Sequence, residues 1–179
     1  MLKFYYTGAK EPFILQENPR NSLGCYISKT QVPNDVIQNV FSNISPVNIE
    51  KNKASHVLLA ISNETGNTAK NIKIHFKYPS DQKTKILLGA IQPSQDKDGN
   101  LIFDEIGTIN EKPIGINFYE ADGVSNKKNI GNLGIDQYVG IWLRRELLSS
   151  LTKQYDTQEI IDGKNEESEE DIEMVIEWD

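Results

Sequence analysis

The sequence predicts an all-β protein built as an antiparallel β-sandwich, and three observations carry that expectation. Between residues 71 and 78, Ile72, Ile74, Phe76 and Tyr78 alternate with Asn71, Lys73, His75 and Lys77. That is the period of a strand with one buried face and one wet face. Residues 134–148, GIDQYVGIWLRRELL, alternate again, with Val139, Ile141 and Leu143 on one face and Tyr138, Gly140, Trp142 and Arg144 on the other. Short turn-rich segments separate such stretches and leave little room for helix, which is the spacing of a sandwich.

In chain order, residues 1–6 (MLKFYY) read as a short strand, and residues 8–12 turn the chain, with Pro12 unable to donate to a ladder. Residues 13–15 resume an extended path before the loop QENPRN. Residues 23–29 (LGCYISK) form a candidate strand with a glycine inside it, the mark of a bulge or a close backbone approach. One short helix is expected after Pro33, capped by Asn34 or Asp35, with Val36, Ile37, Val40 and Phe41 as its apolar stripe. Two turns of helix do not stand alone in water, so it should lie across a sheet or cover an edge.

From Ser55 the strands follow closely. Val57, Leu59 and Ile61 alternate with Leu58, Ala60 and Ser62, and residues 63–67 (NETGN) are turn chemistry. After the strand at 71–78, residues 85–91 (KILLGAI) make another. Residues 97–100 (KDGN) turn a hairpin into Leu101, Ile102 and Phe103. Residues 112–119 (KPIGINFY) are expected as a strand with Ile114, Ile116 and Phe118 on one face, and residues 123–132 as a polar loop.

At 179 residues the chain suits one well-cored domain with appendages. The expected division is an extended arm at 1–22, the sandwich at 23–155 and an acidic tail at 156–179. No apolar run reaches the ~18 residues that would span a bilayer, and the N-terminal stretch lacks the apolar core of a signal peptide. Neither a membrane partner nor export is expected. The single Cys25 excludes an intrachain disulfide and a cysteine-based zinc site, and the sequons at Asn43 and Asn63 then read as chance matches.

Charge is concentrated at the end of the chain. Residues 156–179 hold eleven acidic side chains against Lys164 alone, a net of −10, while the other 155 residues hold 18 basic and 15 acidic ones, a net of +3. A nearly neutral body offers no strong field for phosphates, so direct nucleic-acid binding is not expected.

Candidate chemistry is sparse. Asp96, Asp98, Gly99 and Asn100 superficially resemble a calcium loop, but glycine falls at the fourth position rather than the sixth, so a β-turn is the better reading. His56 and His75 fall with the polar sets of their strands and read as solvated residues. Cys25 has no histidine partner near it in the chain and reads as a small buried hydrophobe. Asp104 and Glu105 are adjacent strand residues that face opposite ways. No nucleophile–base pair, phosphate loop or dinucleotide fingerprint is present, so neither an enzyme nor a cofactor is expected.

What remains is contact. The face carrying Trp142 and Arg144 combines an aromatic platform with arginine, a composition favoured where proteins meet. Arg144 and Arg145 point to opposite faces, so one is free to pair with an acidic neighbour. The tail ends in Ile172, Met174, Val175, Ile176 and Trp178, apolar enough to dock. Trp142, Arg144, Arg145, Ile172, Val175, Ile176 and Trp178 are therefore the expected partner-binding residues. The tail is expected to engage a neighbour in an assembly, against the alternative that it folds back on its own sheet.

Several of these segments also carry a family resemblance. NPRNSLGCYIS followed by VPNDVIQNVFSNIS resembles the start of a family of tailed-bacteriophage virion proteins, which open with an LGG-type strand and an asparagine-rich NNLF turn. HVLLAISNETGNTAKNIKIHF is similar to their Y-R-x-I-Y-V-x-N strand and hairpin, EKPIGINF fits a later one, and YVGIWLRREL is similar to their G-x-Y-x-G-I-W-x-R-R strand. The likeness spans residues 18–148, is most specific at Trp142, Leu143, Arg144 and Arg145, and departs at Cys25, where the family has a second glycine. It implies an immunoglobulin-like sandwich acting as a structural component of the virion: a ring, adaptor, tail, baseplate or capsid-decorating protein. Its partners would be copies of itself and other virion proteins, after synthesis in the host bacterial cytoplasm. Asn, Ile and Lys make up 55 of the 179 residues, a bias that AT-rich coding explains and that suits phages of the crAss-like group. The alternative reading is a carbohydrate- or receptor-binding sandwich that stacks Trp142 on a sugar.

Overall fold

Strand β3 (Ser55–Asn63) carries apolar side chains on both faces, and a strand of that kind is stable only when it is covered on both. The computed structural model, which describes residues 1–33, 41, 54–80, 82, 84–148 and 172–179, meets that requirement: all nine residues of β3 are buried. β3 pairs antiparallel with β1 (Leu2–Tyr6) on one side and with β10 (Tyr138–Leu147) on the other. β10 in turn pairs with β5 (Thr84–Ile91), and β5 with β8 (Tyr119–Glu120). These strands form a five-stranded sheet in the order β1-β3-β10-β5-β8.

Two smaller antiparallel sheets cover it. The first is ordered β11-β4-β9, from β4 (Ala69–Lys77), β9 (Lys128–Leu133) and β11 (Glu173–Glu177). It packs Ile72, Ile74 and Phe76 against Val57, Leu59, Ile61, Val139, Ile141 and Leu143, in the larger of two hydrophobic clusters. The second is ordered β2-β7-β6, from β2 (Cys25–Tyr26), β6 (Ser94–Gln95) and β7 (Leu101–Phe103). With the loop after it, this sheet sets Ile27, Phe103 and Ile106 against Leu58, Ala60 and Trp142 on the opposite face. The expected antiparallel sandwich is therefore present, and its main sheet is the middle of three layers.

Several expectations are corrected by these pairings. The segment 1–22 is no separate arm. β1 is part of the main sheet, and where it ends the chain stays stitched to β3: Leu58 N donates to Ser22 O at 2.7 Å, and the Ser22 hydroxyl donates to Leu58 O at 2.6 Å. The strand expected at 23–29 is only Cys25–Tyr26, which pairs with β7 and is entered through two left-handed residues, Gly24 at φ +111° and Cys25 at φ +62°. The strand expected at 112–119 is broken at Gly115, φ +74°, which turns Ile114 out to 96% exposure while Ile116 and Phe118 pack on the second cluster. The polar stretch expected as a loop holds β9 instead, which pairs with β4 across a register shift. The last residues form a strand of their own chain rather than a free end. The helix expected after Pro33, and the acidic run before residue 172, lie outside the described residues apart from Phe41.

Candidate functional site

The Trp142 face is the first place to look for a contact surface, and the fold uses it internally. Trp142 is 1% exposed, paired in register with Leu58 on one side and Gly89 on the other. The expectation of an exposed platform is thus corrected, since the small sheet has taken that surface. Arg144 pairs with Glu146, two residues further along the same strand. Lys85 joins this pair, 3.6 Å from Glu146 and 2.9 Å from Glu120. Arg145 points the other way and sets its guanidinium 5.1 Å from the Phe41 ring centre. The two arginines do face opposite sides, and both have partners within the chain.

His56 lies directly across from Arg144. It is buried rather than solvated, with the Phe118 ring 5.7 Å away. Its Nδ1 sits 3.3 Å from Ile109 O, while Nε2 has no hydrogen-bond partner among the described residues. Burial pushes its pKa below the ordinary histidine value, the Ile109 carbonyl opposes this, and the Arg144 charge adds to the lowering. His75, expected on a wet face, is 1% exposed, and neither ring nitrogen has a hydrogen-bond partner among the described residues.

At the C-terminus, β11 lines up antiparallel with β4, with Glu173 opposite Lys77, Val175 opposite His75 and Glu177 opposite Lys73. Ile172 is buried, and Met174 and Ile176 pack on the larger cluster. Trp178 remains 41% exposed. Charges fasten the strand: Lys77 Nζ is 3.0 Å from Glu173, Lys127 Nζ is 2.6 Å from Glu177, and Asn71 Nδ2 donates to Asp179 Oδ2 at 2.8 Å. Lys127 holds the Glu177 carboxyl below its usual pKa. Main-chain bonds between Lys70 and Asp179 complete the ladder, at 3.0 and 2.9 Å. Of the seven expected partner residues, Val175 and Ile176 thus lie on one edge strand, with Ile172 and Trp178 flanking it. Trp142, Arg144 and Arg145 lie on another sheet.

A second outward feature escaped the sequence reading. Phe13, Ile14 and Leu15 are consecutive and 52%, 37% and 60% exposed. They are held firmly: Phe13 N donates to Ile27 O at 3.1 Å, Lys29 N to Ile14 O at 3.1 Å, and the Ser28 hydroxyl to Gln16 O at 2.7 Å. Phe13 has a φ of +55°, a conformation costing a bulky residue on the order of 1–3 kcal/mol, which the surrounding bonds must offset. The available signal was three apolar residues bounded by Pro12 and a polar loop.

The Asp96 turn behaves as a turn. Its carboxylate accepts from Asp98 N at 2.8 Å, Asn100 N at 2.9 Å, the Asn100 side chain at 3.1 Å and the Tyr26 hydroxyl at 2.9 Å. These bonds, the Asn100 side chain foremost, hold its pKa down to about 2. Among the described residues no group of three or more His, Cys, Asp or Glu side chains is placed to hold a metal, and no helix is long and apolar enough to cross a membrane. No family model, curated protein or solved structure matches the chain.

Proposed function

We propose that the protein is a structural component of a bacteriophage virion that works through contacts with copies of itself and with other virion proteins. The observation that carries this reading is the Phe13-Ile14-Leu15 ridge. Adjacent exposed apolar side chains, locked in place by main-chain bonds and by a left-handed Phe13, are what a protein–protein surface requires. Trp178, exposed just beyond an edge strand, is a second apolar point facing outward. The sequence resemblance supplies the setting, a ring, adaptor, tail, baseplate or decorating position on the particle. The sugar-binding alternative loses its main support, because a Trp142 that is 1% exposed has no face to offer a ring.

Mass photometry and negative-stain micrographs of the purified full-length chain test the reading. Oligomers that a Phe13→Asp, Leu15→Asp variant loses, with its unfolding midpoint unchanged, support it. A chain that stays monomeric and binds a glycan array overturns it.

A further inference from the structure

We propose that β11 is an exchangeable strand: residues 172–179 of one copy dock on the β4 edge of a second copy, in place of that copy's own C-terminus. The inference rests on the reading of the protein as an assembly component and names the surface and the partner. It begins from how the strand is held. Among the described residues β11 is an edge strand whose only strand neighbour is β4, and its polar fastenings are made by Lys70, Asn71 and Lys77 of β4 and by Lys127. Each of those bonds is made equally well by an identical strand arriving from another molecule, which is the condition for exchange between protomers. The mode is strand addition to an open sheet edge, with main-chain bonds supplying affinity and alternate side chains supplying specificity.

The fit is specific to this segment. Its acidic residues Glu173, Glu177 and Asp179 meet Lys77, Lys127 and Asn71, while Ile172, Met174 and Ile176 enter the core. Lys73, directly across from Glu177, adds to the same field. A second copy is the molecule that carries this pattern in the right register. Charge favours the encounter, because the segment 156–179 has a net charge of −10 and the rest of the chain +3. The end of one molecule is therefore attracted to the body of the next.

Reach is sufficient. Twenty-three residues separate Leu148 from Ile172. Fully extended, a connection of that length spans up to roughly 75–80 Å, against a radius of gyration of about 15 Å for a globular unit of this size. Release is eased by His75, which lies opposite Val175 with neither ring nitrogen bonded among the described residues. Lifting the strand lets water reach an otherwise unsatisfied ring. Exchange passed from copy to copy links subunits into a ring or an open chain, and reciprocal exchange closes a dimer.

Lys77 and Glu173 are directly opposite and exposed, so they suit a cross-link. Full-length Lys77→Cys and Glu173→Cys proteins are mixed, incubated, oxidised and run on a non-reducing gel. Peptide mapping separates a 77–173 bridge from any bridge through Cys25. The expected result is a mixed dimer joined at 77–173, with a yield that rises with protein concentration. The proposal is overturned if that bridge forms only within a single chain carrying both substitutions. Oligomers seen by mass photometry without the 77–173 bridge would sink the exchange and leave the assembly reading standing. With neither oligomer nor bridge, both fall.

Discussion

Phe103 lies against the bare backbone of Gly140: a Cβ built at Gly140 would stand 2.6 Å from Phe103 Cε1 and 2.8 Å from Ile91 Cγ2. This approach lets the small sheet close over the face that carries Trp142. Gly140→Val should force the Phe103 ring away and destabilise the fold by ~1–3 kcal/mol, the usual cost of overpacking. Urea denaturation measures it; an unchanged midpoint would mean that the two layers are not in contact there.

Trp142→Ala should behave as a core mutation, losing ~3–5 kcal/mol. The two tryptophans also differ in exposure, 1% for Trp142 and 41% for Trp178. In a Trp178→Phe variant the remaining fluorescence should be blue-shifted and resist iodide quenching. Ready quenching would restore the exposed platform.

Ile74→Ala and Phe76→Ala should each cost ~2–5 kcal/mol, since both side chains are fully buried between the main sheet and the β11-β4-β9 sheet. A shift in midpoint no larger than that of a surface control such as Lys73→Ala would remove β4 from the core.

His56 should make the fold acid-sensitive. Its folded pKa is lowered by burial, so the unfolded chain takes up the proton more readily. The stability contributed by the neutral ring is then fully present above the unfolded value, about 6.5, and is lost as pH falls below it. Comparing denaturation at neutral and mildly acid pH, His56→Phe should show a shallower loss than the wild type. Equal slopes would exonerate His56.

For Asp96 the sign is the same, and the window lies at lower pH. A carboxyl lowered to about 2 stabilises its turn above the unfolded value near 3.8, and that contribution disappears as pH drops toward 2. A carbon-detected titration should place the Asp96 midpoint near 2, and Asp96→Ala should speed amide exchange at Asp98 and Asn100. An ordinary aspartate midpoint would mean that the four donors are not engaged.

What the sequence determined by itself is the alternation. In β4 and β10 the period-two pattern identified Ile72, Ile74, Phe76, Val139, Ile141 and Leu143 as core, because a pleated strand has no other way to bury one set of side chains. The Asp96 turn was legible for a similar reason, since its bonds are local and need no distant partner. Only the tertiary structure decided what happens on the second face of each strand. Tyr138, Gly140, Trp142 and Arg144 have the composition of an interface, and the layer that covers them comes from residues 23–27 and 101–118, far away in the chain. β3 held the clue in its unbroken VLLAI, apolar on both faces, which fits a strand at the centre of three layers. The place of β11 was likewise beyond a local reading. Glu173 and Glu177 read as solvated charge, and they became strand residues because Lys77, 96 positions before Glu173, and Lys127, 50 positions before Glu177, stand where the fold brings them.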